Sequence, residues 1–184
     1  MRYRANRFCN LTYMSFGIPS PHARRTFARL SDAARIPRVN TYDISTDPSR
    51  LQLPAIHAYL TRSYWSPGIP RDTVARAVAN SMCFGIYLAD EQVGFARVVT
   101  DKATFAYLAD VYVLEEHRGQ GLSKRLVETI QAHPDLQGLR RFLLATRDAH
   151  GLYAQFGFKQ LEAPDRLMEI RDPDPYRAGR TALA

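Results

Sequence analysis

Residues 104–146 constrain this chain more tightly than any other stretch. An alternating run, 104–114 (TFAYLADVYVL), leads into the glycine turn 115–125 (EEHRGQGLSKR). Leu122, Leu126 and Ile130 then recur at i, i+4 and i+8 with Val127 beside them. A period of two giving way to a period near 3.6 reads as a strand followed by an amphipathic helix. Pro134 and Gly138 stop that helix, and 140–146 (RRFLLAT) is a short apolar strand. A strand that re-enters a sheet through a helical crossover lies parallel to the strand before it. The segment is therefore expected to form a β-α-β unit.

The flanking pattern fits a mixed sheet. TYDIS (41–45) alternates as a first strand. Leu53, Ile56 and Leu60 mark a helix over 51–62; Val74 and Val78 mark another over 71–81, opened by Pro70 and Asp72. Between them lies the aromatic, Pro/Gly-containing loop SYWSPGIP (63–70). MCFGIYLA (82–89) and QVGFARVVT (92–100) flank Asp90-Glu91 as a hairpin. A helix over 148–156 and a last strand near 165–170 close the domain. The expected class is α/β with a mixed sheet, antiparallel hairpins first and the crossover later. Strict alternation in 104–114 puts Phe105, Tyr107, Ala109, Val111 and Val113 on one face, and Leu108, Asp110 and Tyr112 on the other. By the same rule Arg97 shares a face with Val93, Phe95 and Val99.

Composition limits the class of partner. The 184 residues suffice for one ordinary domain and carry 25 Lys plus Arg against 18 Asp plus Glu, a formal charge of +7. That excess is local. Residues 1–38 hold eight arginines and one acid, Asp32, whereas 39–184 hold 17 charges of each sign. A uniformly basic, nucleic-acid-binding globule is excluded. Residues 1–40 read as a poorly ordered basic extension, with an organelle-targeting segment and a docking arm for an anionic partner as competing readings. Residues 41–170 read as the domain and 171–184 as a tail. No apolar run approaches the roughly 18 residues of a membrane span, so no membrane partner is expected. Cys9 and Cys83 alone give neither a metal spacing nor a disulfide framework, which points to a reducing cytoplasm and to no metal.

The glycine turn is where the chemistry shows. A glycine-rich turn at a helix start presents free backbone N–H groups and the positive end of the helix dipole, a cradle for pyrophosphate. Gly119 and Gly121 allow close approach, and Arg118 can offset phosphate charge. A P-loop is excluded because Leu122, not Lys, follows Gly121. The dinucleotide fingerprint fails at Lys124, where a third small residue is needed.

Arg118-Gly119-Gln120-Gly121-Leu122-Ser123 resembles the acyl-CoA-binding motif of the GNAT acetyltransferase superfamily, Arg/Gln-x-x-Gly-x-Gly/Ala. Val111-Tyr112-Val113 resembles the strand leading into that motif. Ala149 to Phe158 (AHGLYAQFGF) is similar to the family's Ala-x-x-x-Tyr-x-x-x-Gly-Phe element. The two motifs stand in the family's order about 30 residues apart, and the resemblance covers about 41–170. Two positions depart from the pattern. Ser123 replaces the usual Gly or Ala, and Thr146 stands where many members place a cofactor-contacting Asn.

The resemblance implies a GNAT-like fold in which the strands at 104–114 and 140–146 splay around acetyl-CoA. It implies that Val111 and Val113 pair through their backbones with the pantetheine arm, and that residues 118–123 (Arg118, Gly119, Gln120, Gly121, Leu122 and Ser123) hold the pyrophosphate, with Thr146 nearby. It also implies Tyr153 as the general acid for the departing thiolate. Asp110, a carboxylate beside the cofactor strand, is expected to act as a base or to hold the substrate ammonium. Tyr64, Trp65, Arg97 and His150 are candidates for the substrate side, Arg97 as ligand of a substrate carboxylate or as partner of Asp110. The expected activity is acetyl transfer from acetyl-CoA to a primary amine of a small molecule or amino-acid-like substrate, by direct attack in a ternary complex. A protein or aminoacyl-tRNA amine, or a non-catalytic acyl-CoA sensor, stands as the alternative. Nucleic acid is otherwise not expected as a partner, and relatives often pair as homodimers.

Overall fold

The computed structural model describes residues 41–176. The basic extension 1–40 and residues 177–184 of the tail lie outside the described residues. Five strands form one sheet in the order β1 (Tyr42–Ser45), β2 (Met82–Leu88), β3 (Glu91–Thr100), β4 (Phe105–Val113) and β5 (Arg141–Leu144). Neighbours are antiparallel except β4 and β5, which run parallel as the crossover requires. The helices are α1 (Leu53–Leu60), α2 (Arg71–Ala79), α3 (Leu122–Gln131) and α4 (His150–Ala154).

Each face of the sheet is buried under helices. On one side α3 presents Leu122, Leu126, Val127 and Ile130 to Phe84, Ile86, Val98 and Leu108. Their spacing gives α3 a single apolar stripe, and complete burial of such a side chain stabilises by about 1.5–3 kcal/mol. On the other side Ile56 and Leu60 of α1 and Val74 of α2 cover Cys83, Phe95 and Tyr112. The thiol of Cys83 is pushed up to about 11, chiefly by that burial.

Strict alternation fails at two places. Ile86 faces Gly94 and Tyr87 faces Gln92, so Val93 is an extra residue in β3. Phe95 faces Tyr112 and Arg97 faces Ala109, so β4 inserts two residues, Asp110 and Val111, where β3 has only Ala96. These are β-bulges, and each flips the side chains that follow. Val93 therefore joins the α3 side while Phe95 and Arg97 turn toward α1 and α2. Beyond the second bulge Val111 and Val113 share the α3 side with Leu108, and Tyr112 packs on the other. Asp110 takes φ +55°, a left-handed conformation that short polar side chains tolerate better than most.

Three element boundaries also differ. The hairpin tip is Ala89–Asp90, since Leu88 already pairs with Glu91. The helix expected over 148–156 is confined to α4. No strand forms at 165–170: Pro164–Arg166 make a 3-10 turn, and Met168 and Ile170 are fully exposed. An alternating apolar segment becomes a strand only with a ladder partner, and no described strand takes this one.

Candidate active site

Pairing between β4 and β5 stops at Leu108–Leu144, although β4 continues to Val113. Past that point the strands part, and the sheet opens into a cleft of about 910 Å³. The edge of β4 from Ala109 to Val113 on that side has no strand beside it among the described residues. Apart from the Val113 carbonyl, which accepts from the Arg118 side chain, its outward backbone groups can pair with an extended ligand, as an added strand would. Val113 is buried and Val111 half-buried, so both can offer their main chains more readily than their side chains.

The glycine turn borders the same opening. Gly119 and Gly121 adopt φ +76° and +74°. A Cβ on either would meet nothing within 4 Å, so conformation, not space, calls for glycine there. Gly121 precedes the first residue of α3. The N–H groups of Leu122, Ser123 and Lys124 in the first turn have no intrahelical acceptor, and the helix dipole adds partial positive charge. Ser123 lines the cleft, whereas Leu122 is buried and can offer only its N–H.

Side chains of the motif are largely engaged elsewhere. Arg118 donates from Nε to the Val113 carbonyl (3.0 Å) and from Nη2 to the Tyr59 hydroxyl (3.0 Å) and Glu115 (3.1 Å). Gln120 donates to the Tyr42 hydroxyl at 3.0 Å, which also bonds His117 Nδ1 at 2.9 Å. Thr146 Oγ1 accepts the Ala149 N–H at 3.0 Å and so fixes the approach to α4. The motif's polar side chains thus hold the loop's shape, and of its residues Arg118 and Ser123 line the cleft.

Tyr153 lies on α4 and is only 8% exposed, yet it lines the cleft. Burial, reinforced by nearby Tyr64 and Asp148, pushes its phenol up to about 12. The group stays protonated throughout the neutral range. His150, three residues earlier, is exposed and does not border the cleft.

Tyr64 and Trp65, on the loop after α1, reach over the opposite wall. The Arg147 guanidinium lies 3.7 Å from the centre of the Tyr64 ring, and the Arg147 N–H approaches the Tyr64 hydroxyl at 3.4 Å. The Tyr64 and Trp65 rings meet edge to face at 4.9 Å. Trp65 donates its indole N–H to Asp110 Oδ1 at 3.1 Å. Arg97 Nε binds Asp110 Oδ2, and Arg97 Nη1 reaches the Ser81 hydroxyl at 3.3 Å. Tyr64, Trp65, Arg97 and Asp110 are thus brought together, and of the substrate-side candidates only His150 is not.

Several cleft residues escape a reading of the sequence. Tyr59 stacks on Tyr112 at 3.8 Å with ring planes 8° apart. Its spacing from Ile56 was a usable signal of a buried helix face. Tyr107 and Arg147 also line the cleft, and Tyr176 reaches it from a stretch with no periodicity at all.

Residues 79–160 match the family model of the GNAT acetyltransferase domain. A protein of Gibberella zeae, provisionally named an acetyltransferase, is 36% identical over 153 residues, covering 70% of this chain and 85% of that protein. A crystal structure from Xanthomonas campestris pv. campestris, provisionally named a GNAT-family acetyltransferase, is 52% identical. It covers 74% of this chain and 96% of that one, with a TM-score of 0.73. A provisionally named acetyltransferase from Clostridium acetobutylicum, crystallised with acetyl-CoA, shares the fold at 13% identity. That match covers 71% of this chain and 95% of the other, with a TM-score of 0.53.

Proposed function

Because this chain belongs to the GNAT acetyltransferase superfamily, we propose that it moves an acetyl group from acetyl-CoA to the primary amine of a small molecule, by direct attack in a ternary complex. One observation carries the reading. The buried, protonated phenol of Tyr153 lines the same cleft as the open edge of β4 and the glycine turn.

The residues fit the co-substrate. The backbones of Val111 and Val113 take the pantetheine arm, and the N–H groups of 119–123 take the pyrophosphate. Arg118 braces the turn and adds positive charge behind it. Thr146 holds the loop into α4. The amine must be neutral to attack the thioester carbonyl. The C–N bond forms, the C–S bond breaks, and the Tyr153 hydroxyl donates to the departing sulfur. The proton released by the amine passes through water, and no single base is required. Asp110, tied to Arg97 and Trp65, holds and orients the acceptor on its side of the cleft. The sparse cysteines support a cytoplasmic setting, and a homodimer is the assembly that the family resemblance implies.

Release of free thiol from acetyl-CoA across amines, amino acids and polyamines tests the proposal. Amine-dependent release is expected. Tight coenzyme A binding with no release from any acceptor would make the protein an acyl-CoA-binding module instead.

A further inference from the structure

The Arg97–Asp110 pair is an unusual floor for an acceptor pocket. Its carboxylate sits on a bulge residue with φ +55°, a conformation that a non-glycine residue keeps only where its surroundings impose it. Both side chains line the cleft, 21% and 11% exposed for Arg97 and Asp110. A desolvated ion pair is a poor source of stability, because lost hydration offsets much of the attraction. Its value here is as a recognition surface.

Neither partner is saturated. Asp110 accepts one bond at each oxygen, from Trp65 and from Arg97, while a carboxylate offers about four acceptor positions. Arg97 uses Nε and Nη1, and its Nη2 has no partner among the described residues. The ion pair therefore leaves spare acceptor positions on Asp110 and a spare donor, Arg97 Nη2, side by side. A polyamine would satisfy Asp110 and meet the like charge of Arg97. A monoanion would do the reverse. A ligand carrying ammonium and carboxylate on one carbon answers both charges together, lying antiparallel to the pair.

The walls add a shape. Trp65 is 39% exposed, and Tyr64, Tyr107 and Tyr176 stand around the same space. Flat aromatic walls suit a flat apolar body. From this geometry we infer that the acceptor is an α-amino carboxylate with an aromatic side chain, its ammonium held by Asp110 and its carboxylate by Arg97. The inference rests on the acetyltransferase reading of the cleft. In the reaction the bound ammonium loses one proton to water and attacks. The second amine proton is released as the amide forms, and the sulfur leaves protonated, so the products are the N-acetyl amino acid, coenzyme A and one proton.

Two readouts separate the inference from the reading beneath it. L-phenylalanine, L-phenylalaninamide, phenethylamine and spermidine are compared by thiol release with acetyl-CoA, and by calorimetric binding to the coenzyme A-loaded protein. L-phenylalanine is expected to exceed the other three at least tenfold in kcat/KM and in affinity. Arg97→Lys should erase most of its advantage over phenethylamine, and Asp110→Asn should weaken all four, with coenzyme A binding unchanged in both variants as the check on folding. L-phenylalanine binding without acetylation would sustain the zwitterion site and overturn the transferase reading. Acetylation of phenethylamine or spermidine with equal or greater efficiency would overturn the zwitterion site and leave the transferase reading standing. Failure of L-phenylalanine both to bind and to react would also overturn the inference.

Discussion

Replacing Tyr153 with phenylalanine removes one hydroxyl and tests how the cleft handles the leaving group. A thiol such as that of coenzyme A ionises near 8.5, as cysteine does. Tyr153 is pushed up to about 12. Full transfer of the phenol's proton to a free thiolate would be uphill by roughly 3.5 pH units, about 5 kcal/mol. In the proposed mechanism the phenol therefore acts mainly through a hydrogen bond that strengthens as charge gathers on sulfur, while the amine supplies the net proton. Hydrogen bonds to charged groups contribute about 1.5–3 kcal/mol. At about 1.4 kcal/mol per decade, kcat for Tyr153→Phe should fall by about ten- to a hundred-fold. Ground-state contacts change little, because the hydroxyl has no hydrogen-bond partner among the described residues and the ring still packs edge to face on Phe158 at 5.9 Å. The acetyl-CoA dissociation constant should stay within about twofold, and a stability change below about 1 kcal/mol should move Tm by less than about 4 °C. Steady-state thiol release, cofactor titration and thermal melting measure the three quantities. A fall in kcat under threefold, or a loss of acetyl-CoA affinity matching the loss of rate, would refute the role.

Gly121→Ala forces a side chain into φ +74° at the head of α3, which costs about 1–2 kcal/mol. It should lower Tm and weaken acetyl-CoA binding severalfold, whereas Gly138→Ala, at φ +69° away from the cleft, should lower Tm alone; equal cofactor binding in the two variants would count against the glycine turn as the pyrophosphate site. Burial holds the thiol of Cys83 near 11 and the phenol of Tyr153 near 12, above their unfolded values of about 9 and 10. Between those limits the folded state keeps protons that the unfolded state releases, so stability is intact below pH 9 and falls as pH rises toward 12. Melting scans should show Tm declining from about pH 9, with a shallower decline in Cys83→Ala; a flat Tm to pH 11 would contradict the burial of these groups.

The elements were legible because the apolar spacing of α3 and the runs of β2 to β5 are local signals. The bulges were not. One inserted residue leaves the composition of a strand unchanged while reversing every later side chain, and Asp110 occupies a left-handed position that glycine would have announced. Alternation therefore put Val93 beside Arg97, and Leu108 opposite Val111, when the fold separates the first two and joins the others. The missing strand at 165–170 has a related cause, since a strand is a property of its partner as much as of itself.

Within the site, backbone-based features were readable and side-chain partners were not. Gly119 and Gly121 announce a conformation wherever they stand. The bonds from Arg118 to Tyr59 and from Trp65 to Asp110 join residues 59 and 45 positions apart, and no spacing rule reaches that far. This explains why Ser123 and Thr146 can depart from the family pattern without closing the cleft. Ser123 still contributes an N–H at the head of α3, and Thr146 is already engaged with the Ala149 N–H. On the proposed reading, a cleft that binds its co-substrate mainly through main-chain groups tolerates change in its motif's side chains and not in its glycines. In the proposed reaction acceptor choice then falls to the groups outside the motif, Trp65, Arg97 and Asp110, where the bulge sets two opposite charges side by side.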